Sequence, residues 1–370
     1  MTTQQNILVL GGGAIGLASA IELAQQGAEV TILNHRPQSA ALFAAAGMLA
    51  PEAEKIEDPR FFEFCRESRD RYPKWVAQIE ALSNTQSGYW PCGIVAPQYH
   101  KAISASNTSS EWLSYLELKA LVPHLSPEVE GGWFYPDDAQ VNNRQLGHAL
   151  NLAAEAVGVT IHNDITINSL VIEGDRIIKV KTQKGDWDAD HYLLATGAWT
   201  GMMEDIPVVP RKGQMLSVTP MDGAELLQLN HVLFGEEIYI VPRQTGEVVI
   251  GATSEDVGFT PGNTVAGIQQ LLNAATRLVP QLAQYEFFEQ WWGYRPATPD
   301  ELPILGSSPW HNLSVASGHY RNGILLIPIT AQLITQHILH GNVEDKLSIF
   351  RWDRFNVARE RFQPQPSVVF

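Results

Sequence analysis

The chain begins with an apolar run, a glycine-rich turn and a helical pattern. Residues 7–10 read Ile-Leu-Val-Leu, which predicts a buried strand. From Ala14 to Gln26 the apolar residues recur with helical spacing, and Gly27 is suited to end that helix. A second apolar strand is predicted over Glu29–Leu33. This N-terminal segment is therefore predicted to form a strand–turn–helix–strand unit.

Three glycines of the turn, Gly11, Gly13 and Gly16, have the G-x-G-x-x-G spacing. The first allows a tight turn, the second lets a pyrophosphate approach the backbone, and the third lets the helix pack close to the strand. The N–H groups at the helix start, including those of Ala14 and Ile15, would then face the phosphates. The surrounding strands and helix favour dinucleotide binding over a purely structural glycine turn.

The end of the second strand departs from the usual pattern. An acidic residue there normally binds the adenosine ribose, but this chain has Asn34, followed by His35 and Arg36. Asn34 can still accept a hydrogen bond from a ribose hydroxyl, without a full charge. Arg36 is suited to a 2′-phosphate, so these residues leave NADP open as the ligand.

Apolar spacing also predicts the next helices and one more parallel strand. A long amphipathic helix is expected over Phe61–Leu82, with a kink or break at Pro73. Glu111–Val122 has a helical pattern as well. Asn142–Val157 is predicted as a helix capped by an asparagine, and Val159–His162 as the third parallel strand of the sheet.

The middle of the chain is rich in β-strand patterns. Leu170–Thr182 indicates an antiparallel ribbon, and His191–Leu194 is a buried strand that leads into Ala-Thr-Gly. Val208–Thr219 and Val232–Thr253 alternate apolar and polar residues, which predicts an antiparallel sheet. A second strand, glycine turn and helix follow over residues 313–340.

These elements predict an α/β protein with an α+β second domain. A discontinuous Rossmann-type nucleotide-binding domain is expected over residues 1–88, 136–206 and 299–370. A substrate-binding domain with a large antiparallel sheet is expected over 89–135 and 207–298, inserted into the first domain.

Charge and cysteine content narrow the class of protein. Forty acidic and 25 basic residues give a net charge of −15, which argues against binding to nucleic acid or to an anionic membrane. Cys65 and Cys92 are too few for a disulfide framework, and their spacing fits no metal site. We therefore expect no bound metal. We also expect a cytoplasmic protein, because no signal peptide and no apolar run of about 18 residues is evident.

Six blocks, in this order, resemble the D-amino-acid oxidase/glycine oxidase family of FAD-dependent oxidoreductases over essentially the whole chain. The blocks that carry the resemblance are Gly11–Gly16, Ala44–Leu49, Ala195–Trp199, Tyr239–Arg243, Gly293–Pro296 and Gly318–Leu325. The last three are the most specific, because a general flavin fold does not require them.

The resemblance implies FAD rather than NADP as the cofactor. Sarcosine oxidases of the wider family attach flavin to a cysteine in the C-terminal half of the chain; no cysteine follows Cys92 here, so FAD should be non-covalent. Asn34 and Phe43 depart from the family, which carries Glu and Ser or Thr there. Motif and resemblance together assign the cofactor to Gly11, Gly13, Ala14, Ile15, Gly16, Asn34, His35, Arg36, Ala45, Ala46, Gly47, Met48, Leu49, Thr166, Ala195, Thr196, Gly197, Trp199, Gly318, His319, Tyr320, Arg321, Asn322, Gly323 and Ile324.

By the same resemblance, Arg295 clamps the substrate carboxylate, Tyr239 helps to bind it, and Arg321 shapes the amine side or the flavin environment. Glu237 and Ser254 stand where glycine oxidases carry His and Met, close to the expected pocket. We assign no general base, because a neutral amine can drive hydride departure through its own lone pair.

The implied reaction moves a hydride from the Cα of glycine, or of another small amine or amino acid, to flavin N5. The imine is hydrolysed to glyoxylate and ammonia or feeds thiazole synthase in thiamin biosynthesis, and O2 becomes H2O2. The family also implies a homo-oligomer. Two alternatives stay open: a D-amino-acid or sarcosine dehydrogenase or oxidase, and a non-catalytic flavin-binding partner protein.

Overall fold

The computed structural model describes residues 4–100, 110–203, 206–221, 223, 226–341 and 344–355. The strands are β1 Asn6–Leu10, β2 Glu29–Leu33, β3 Met48–Leu49, β4 Ile94–Gln98, β5 Glu111–Ser114, β6 Gly131–Tyr135, β7 Ala139–Gln140, β8 Thr160–His162, β9 Ile167–Glu173, β10 Arg176–Thr182, β11 Gly185–Trp187, β12 His191–Leu194, β13 Val209–Thr219, β14 Val232–Phe234, β15 Tyr239–Pro242, β16 Val248–Gly251, β17 Glu286–Ala297, β18 Ile304–Ser307 and β19 Leu313–Ser317. The helices are α1 Ala14–Gln25, α2 Ala41–Ala44, α3 Pro59–Ser83, α4 Tyr115–Leu121, α5 Asn143–Ala156, α6 Thr200–Met203, α7 Val265–Leu278, α8 Ile327–His340 and α9 Glu344–Leu347. Short 3₁₀ turns lie at Pro37–Ser39, Gly197–Trp199, Pro280–Gln284, Tyr320–Asn322, Ser348–Phe350 and Trp352–Phe355.

A six-stranded sheet carries the N-terminal glycine turn. Its strand order is β18-β19-β12-β1-β2-β8, and the strands run parallel except β18, which is antiparallel to β19. The apolar run of β1 is buried because both faces of the sheet are covered. Ile7 and Val9 face the core formed with helices α1, α3, α5 and α8, whereas Leu8 and Leu10 pack toward the three-stranded ribbon β11-β10-β9.

Several local predictions for this half of the molecule are confirmed. Asn142 is the N-cap of α5, and its side chain accepts hydrogen bonds from the backbone N–H groups of Arg144 and Gln145. The short strand β8 pairs in parallel with β2. The ribbon predicted around Gly174 is formed by β9 and β10.

A kink or break was predicted at Pro73, and the break is absent, because α3 runs through this proline without interruption. Apolar side chains on both sides of Pro73, including Phe64, Tyr72 and Trp75, are buried in the core. Their packing fixes the two halves of the helix on one surface, which offsets the backbone hydrogen bond that proline removes.

The prediction of a helix over Glu111–Val122 was wrong for its first four residues. Residues 111–114 form the strand β5, which pairs with β6, and the helix α4 begins only at Tyr115. Gly131 in β6 leaves room for Trp112, since a Cβ on Gly131 would lie 2.6 Å from Trp112 Cζ2. Ser114 and Glu117 then form a capping box that starts the helix at this point.

The second large sheet has eight strands, and its strand order is β17-β13-β16-β15-β14-β4-β6-β5. Its pairings are antiparallel, except that β14 runs parallel to β4. The two large sheets together confirm the predicted fold class. The domain boundaries stay a prediction, and part of the last segment, residues 356–370, lies outside the described residues.

Among the described residues, no helix combines the length and apolar character needed to cross a membrane.

Candidate active site

A cavity of about 500 Å³ lies between the two large sheets. One side is formed by turns that follow the carboxyl ends of β1, β2, β12 and β19, the position where open parallel sheets bind ligands. The other side is formed by residues of β13, β15, β16 and β17 in the eight-stranded sheet. The cavity therefore joins the predicted cofactor site to the predicted substrate site.

The glycine turn closes one end of this cavity with bare backbone. Gly11 has φ = +112°, and a Cβ there would lie 2.8 Å from the carbonyl carbon of Ala195, so the turn requires glycine. The space beside Gly13 is open, because the nearest atom to an added Cβ is 4.0 Å away. Gly13 is also the N-cap of α1 and brings no side chain to the helix start. A pyrophosphate fits this geometry, since the helix start offers N–H groups and partial positive charge.

The turn after β2 supplies polar groups to the adjoining part of the cavity. Asn34 is buried, and its Nδ2 donates to Oδ1 of Asn163 at 3.2 Å. His35 Nδ1 lies 3.2 Å from the Thr166 hydroxyl, and burial lowers the pKa of His35. Arg36 is exposed at the rim. These four side chains, Asn34, His35, Arg36 and Thr166, all line the cavity, as an adenosine site requires.

A buried arginine fixes the small-residue wall formed by Ala45–Met48. Arg243 Nη2 donates to the carbonyl oxygen of Ala46 at 2.8 Å and to Asn143 Oδ1 at 3.2 Å. Its Nη1 donates to Gln140 Oε1 at 2.8 Å and to the carbonyl oxygen of Val141 at 3.1 Å. Burial lowers the pKa of Arg243 to about 10. We assign a structural role to Arg243, because its donors are occupied by protein acceptors.

The structure brings most predicted cofactor residues to the cavity. The lining residues are Gly11, Gly13, Ala14, Ile15, Asn34, His35, Arg36, Ala45, Ala46, Gly47, Met48, Thr166, Ala195, Thr196, Gly197, Trp199, His319, Tyr320, Arg321, Asn322, Gly323 and Ile324.

Gly16, Leu49 and Gly318 lie behind the cavity wall. A Cβ on Gly16 would overlap the carbonyl oxygen of Gly11, so this glycine sets the contact between helix and turn. Leu49 is fully buried in the core formed with α3 and α5. Gly318 has φ = +75° and packs against Thr298, because a Cβ would lie 2.7 Å from Thr298 Cγ2. These three positions shape the site from outside the cavity.

The predicted carboxylate clamp, Arg295, projects from β17 into the cavity. Its guanidinium lies over Gly213 of the neighbouring strand, where a Cβ would come within 2.6 Å of Nη1. Nη1 donates to the carbonyl oxygen of Thr253 at 3.1 Å. One backbone carbonyl thus orients a planar guanidinium that faces open space.

Tyr239 lies close to this guanidinium, in strand β15. Gly251 on the paired strand makes room for its ring, since a Cβ there would lie 2.5 Å from Tyr239 Cε2. The hydroxyl donates to Met215 Sδ at 3.1 Å. Burial raises the pKa of Tyr239, and the nearby Arg295 partly offsets that rise. The phenol therefore keeps its proton at neutral pH and can donate a hydrogen bond.

Glu54 is a site residue that the sequence pattern did not reveal. It lies in a turn of an acidic, polar segment, yet its side chain is only 10% exposed and contacts the Arg321 guanidinium inside the cavity. Burial raises the pKa of Glu54, and the opposing effect of Arg321 is smaller. Nothing local signals this pair, because the two residues lie 267 positions apart.

A buried charge cluster holds the turn that carries Glu54. Asp138 accepts a hydrogen bond from the backbone N–H of Ala53 at 3.0 Å and another from Arg69 Nη1 at 3.2 Å. The same guanidinium lies 3.5 Å from Glu52. Burial raises the pKa of Asp138 to about 7, even though Arg69 favours its charged form.

His319 lies in the turn after β19, and its ring contacts helix α8. Its Nε2 lies 3.2 Å from the hydroxyl of Thr330 on α8, and the residue is 3% exposed. Burial lowers the pKa of His319 to about 3, so the ring is neutral at physiological pH. This residue lines the cavity, and its side chain contacts helix α8 through Thr330.

Comparisons with known proteins point to relatives of similar sequence and structure. A bifunctional protein ThiO/ThiG from Trichormus variabilis is 50% identical over 359 residues, which is 95% of this chain and 55% of that protein. The chain thus spans about half the length of the bifunctional relatives it matches. A glycine oxidase from Bacillus subtilis is 30% identical over 96% of this chain and 98% of its own length.

Among solved structures, the crystal structure of glycine oxidase from Geobacillus kaustophilus superposes with a TM-score of 0.86 at 27% identity. The match covers 95% of this chain and 99% of that one. The family model described as FAD dependent oxidoreductase (DAO) matches residues 6–337. This chain therefore belongs to the DAO family of FAD-dependent oxidoreductases.

Proposed function

We propose that this chain is an FAD-dependent oxidase of glycine and other small amines and amino acids. The observation that carries the proposal is the Arg295 guanidinium, which lies beside Tyr239 in the same cavity as the glycine turn. A planar guanidinium can hold a carboxylate through two parallel charge-assisted hydrogen bonds. Relatives named glycine oxidase support the same class of substrate.

The residues of the chain then divide between two tasks. The glycine turn and the start of α1 would hold the FAD pyrophosphate, and Asn34 and His35 would hold the adenosine end. Bound FAD would supply the acceptor for a hydride from the substrate Cα and the route of the electrons to oxygen, which would become hydrogen peroxide. Arg295 and Tyr239 bind the substrate carboxylate and so fix the position of Cα in the cavity.

The oxidised substrate leaves as an imine, which water converts to glyoxylate and ammonia. Relatives named ThiO/ThiG support a link to thiamin biosynthesis, in which the imine passes to a thiazole synthase partner. We place the enzyme in the cytoplasm as a homo-oligomer. The exposed Phe287, Phe288 and Trp292 on the edge strand β17 are side chains that association would cover.

Anaerobic addition of glycine to the purified yellow protein tests this function. We expect loss of the oxidised flavin absorbance, followed by peroxide and glyoxylate when oxygen is readmitted. A protein that stays oxidised with glycine, sarcosine and D-alanine would contradict the oxidase and favour a non-catalytic flavin-binding protein. Turnover of large D-amino acids alone would contradict the glycine assignment.

A D-amino-acid or sarcosine dehydrogenase is the second candidate. It is favoured by Glu237 and Ser254, which line the cavity at positions where the resemblance to glycine oxidases led us to expect His and Met. An altered pocket wall is compatible with a larger or N-methylated amine. Reduction of the flavin by sarcosine or D-alanine without peroxide formation in air would support this candidate.

A further inference from the structure

Glu54 is a carboxyl group in the cavity to which the proposed function gives no role. Its side chain is 10% exposed, whereas that of its partner Arg321 is 46% exposed. The acidic partner is therefore largely buried in the cavity wall, whereas about half of the basic side chain is exposed. A ligand that enters the cavity can displace the guanidinium more easily than the carboxyl group.

The charged and titratable groups around Glu54 come from several elements. They are Arg321 and Glu301 from the C-terminal turns, Arg295 from β17, Tyr239 from β15 and Cys65 from α3. Burial raises the pKa of the Glu54 carboxyl, while the two guanidinium groups oppose that rise. The Glu54 carboxyl already binds one cationic group, the Arg321 guanidinium, and a ligand cation can take that place.

An amino acid supplies such a cation. When its carboxylate is bound by Arg295, its ammonium group lies two bonds from the carboxylate carbon, within the same small cavity. A buried ammonium needs an acceptor or an opposite charge, because desolvation of an unpaired cation is costly. Glu54, Glu236 and Glu237 all line this cavity, and we choose Glu54 because it interacts electrostatically with both Arg295 and Arg321.

We propose that Glu54 binds the substrate ammonium group and accepts one proton from it, while Arg321 gives up its contact with Glu54. One N–H bond of the substrate breaks, one O–H bond forms on Glu54, and the electron pair stays on nitrogen as a lone pair. This lone pair assists the later departure of hydride from the neighbouring carbon. The positive charge of Arg321 further favours loss of the proton, since like charges disfavour the ammonium form.

This inference rests on the proposed function and is tested on the holoenzyme with Glu54→Gln, which keeps the size of the side chain. At neutral pH we expect the rate of flavin reduction by glycine to fall by about 100-fold, a typical contribution of general base catalysis. The variant's rate should rise again toward high pH, where the substrate amine loses its proton unaided. Binding of acetate, a carboxylate without an amine, should change less than about threefold.

Glu301→Gln is the matched control, because Glu301 also interacts with Arg321 but lies outside the cavity lining. It should behave like the wild type in all three measurements. Should Glu54→Gln lose bound FAD, Glu54→Asp replaces it and is expected to give a reduced rate with the wild-type pH profile.

An unchanged rate and pH profile in Glu54→Gln would overturn the inference and leave the proposed function intact. Equal weakening of acetate and glycine would also overturn it, because Glu54 would then act only by holding Arg321 in place. Wild-type holoenzyme that glycine does not reduce would instead contradict the proposed function, and this inference with it.

Discussion

At the scale of single residues, Arg243 behind the cavity wall and Arg295 in the wall differ in how many of their donors remain for a ligand. Arg243 donates to four protein acceptors and ties the Ala46 segment to α5. Arg295 is oriented by the backbone carbonyl of Thr253 and lines the open cavity. The same side chain therefore serves packing at one position and is suited to binding at the other, and the number of protein acceptors separates the two roles.

Arg295→Ala should raise the KM for glycine at least about 30-fold, because loss of a charge-assisted pair with a desolvated carboxylate costs about 2 kcal/mol or more. The amount of bound FAD should not change, since Arg295 lies at the substrate end of the cavity. Steady-state kinetics and flavin absorbance after gel filtration measure the two quantities.

The control for this variant is Arg211→Ala. Arg211 is paired with Arg295 across the strands, but it forms an ion pair with the exposed Asp256 and is not part of the cavity lining. Its removal should leave the KM unchanged. Loss of FAD from Arg295→Ala would show that this arginine supports the cofactor rather than the substrate.

At the scale of elements, the start of α1 combines two glycines with different tasks. Gly16 keeps the helix against the turn, since a Cβ would overlap the carbonyl oxygen of Gly11. Gly13 faces open cavity, with φ = −77°, a value that any residue adopts. A backbone contact inside the protein thus requires a glycine at position 16. Space for a ligand requires a glycine at position 13.

Gly13→Ala and Gly16→Ala are therefore expected to differ. The Gly13 variant should fold with the wild-type free energy of unfolding within about 0.5 kcal/mol, yet bind FAD at least tenfold more weakly. The Gly16 variant should lose several kcal/mol of stability, because a buried overlap forces the helix away from the sheet. Denaturant unfolding of apoprotein and FAD titration separate these effects, and equal destabilisation by both would contradict the assignment.

At the scale of the whole molecule, buried titratable groups act on stability in opposite directions. Burial lowers the pKa of His191 to about 4 and that of His319 to about 3. Below pH 6.5 the unfolded chain binds protons that these folded histidines do not, so the free energy of unfolding decreases on acidification. Asp138, with its pKa raised to about 7, keeps a proton in the folded state and opposes that decrease.

Asp138→Asn should therefore make the loss of stability between pH 6.5 and 4 steeper. The change in slope is bounded by one proton, or about 1.4 kcal/mol per pH unit. Urea unfolding at several pH values measures the slope. Asp137→Asn is the control, since this neighbour is exposed, and its slope should match the wild type. A flatter profile in Asp138→Asn would contradict the expected direction of the change.

The local sequence pattern was sufficient to predict β1, the glycine turn and α1, because these neighbours in sequence are also neighbours in space. Prediction from the local pattern failed where contacts between distant residues determine the structure. Residues 111–114 form a strand by pairing with β6, in which Gly131 leaves room for Trp112. Resemblance to a known family supplied Arg295 and Tyr239, whereas Glu54 required the folded chain, since its partner lies on the C-terminal turn.

The cavity draws its walls from Gly11 at one end of the sequence and Ile324 near the other. The ribosome must therefore release the chain as far as Ile324 before the pocket can close around its cofactor. The N-terminal glycine turn, although synthesised first, has no complete partner surface during translation. FAD loading consequently follows the synthesis of both walls of the pocket, and the cellular supply of flavin acts by stabilising chains in which these walls have already folded.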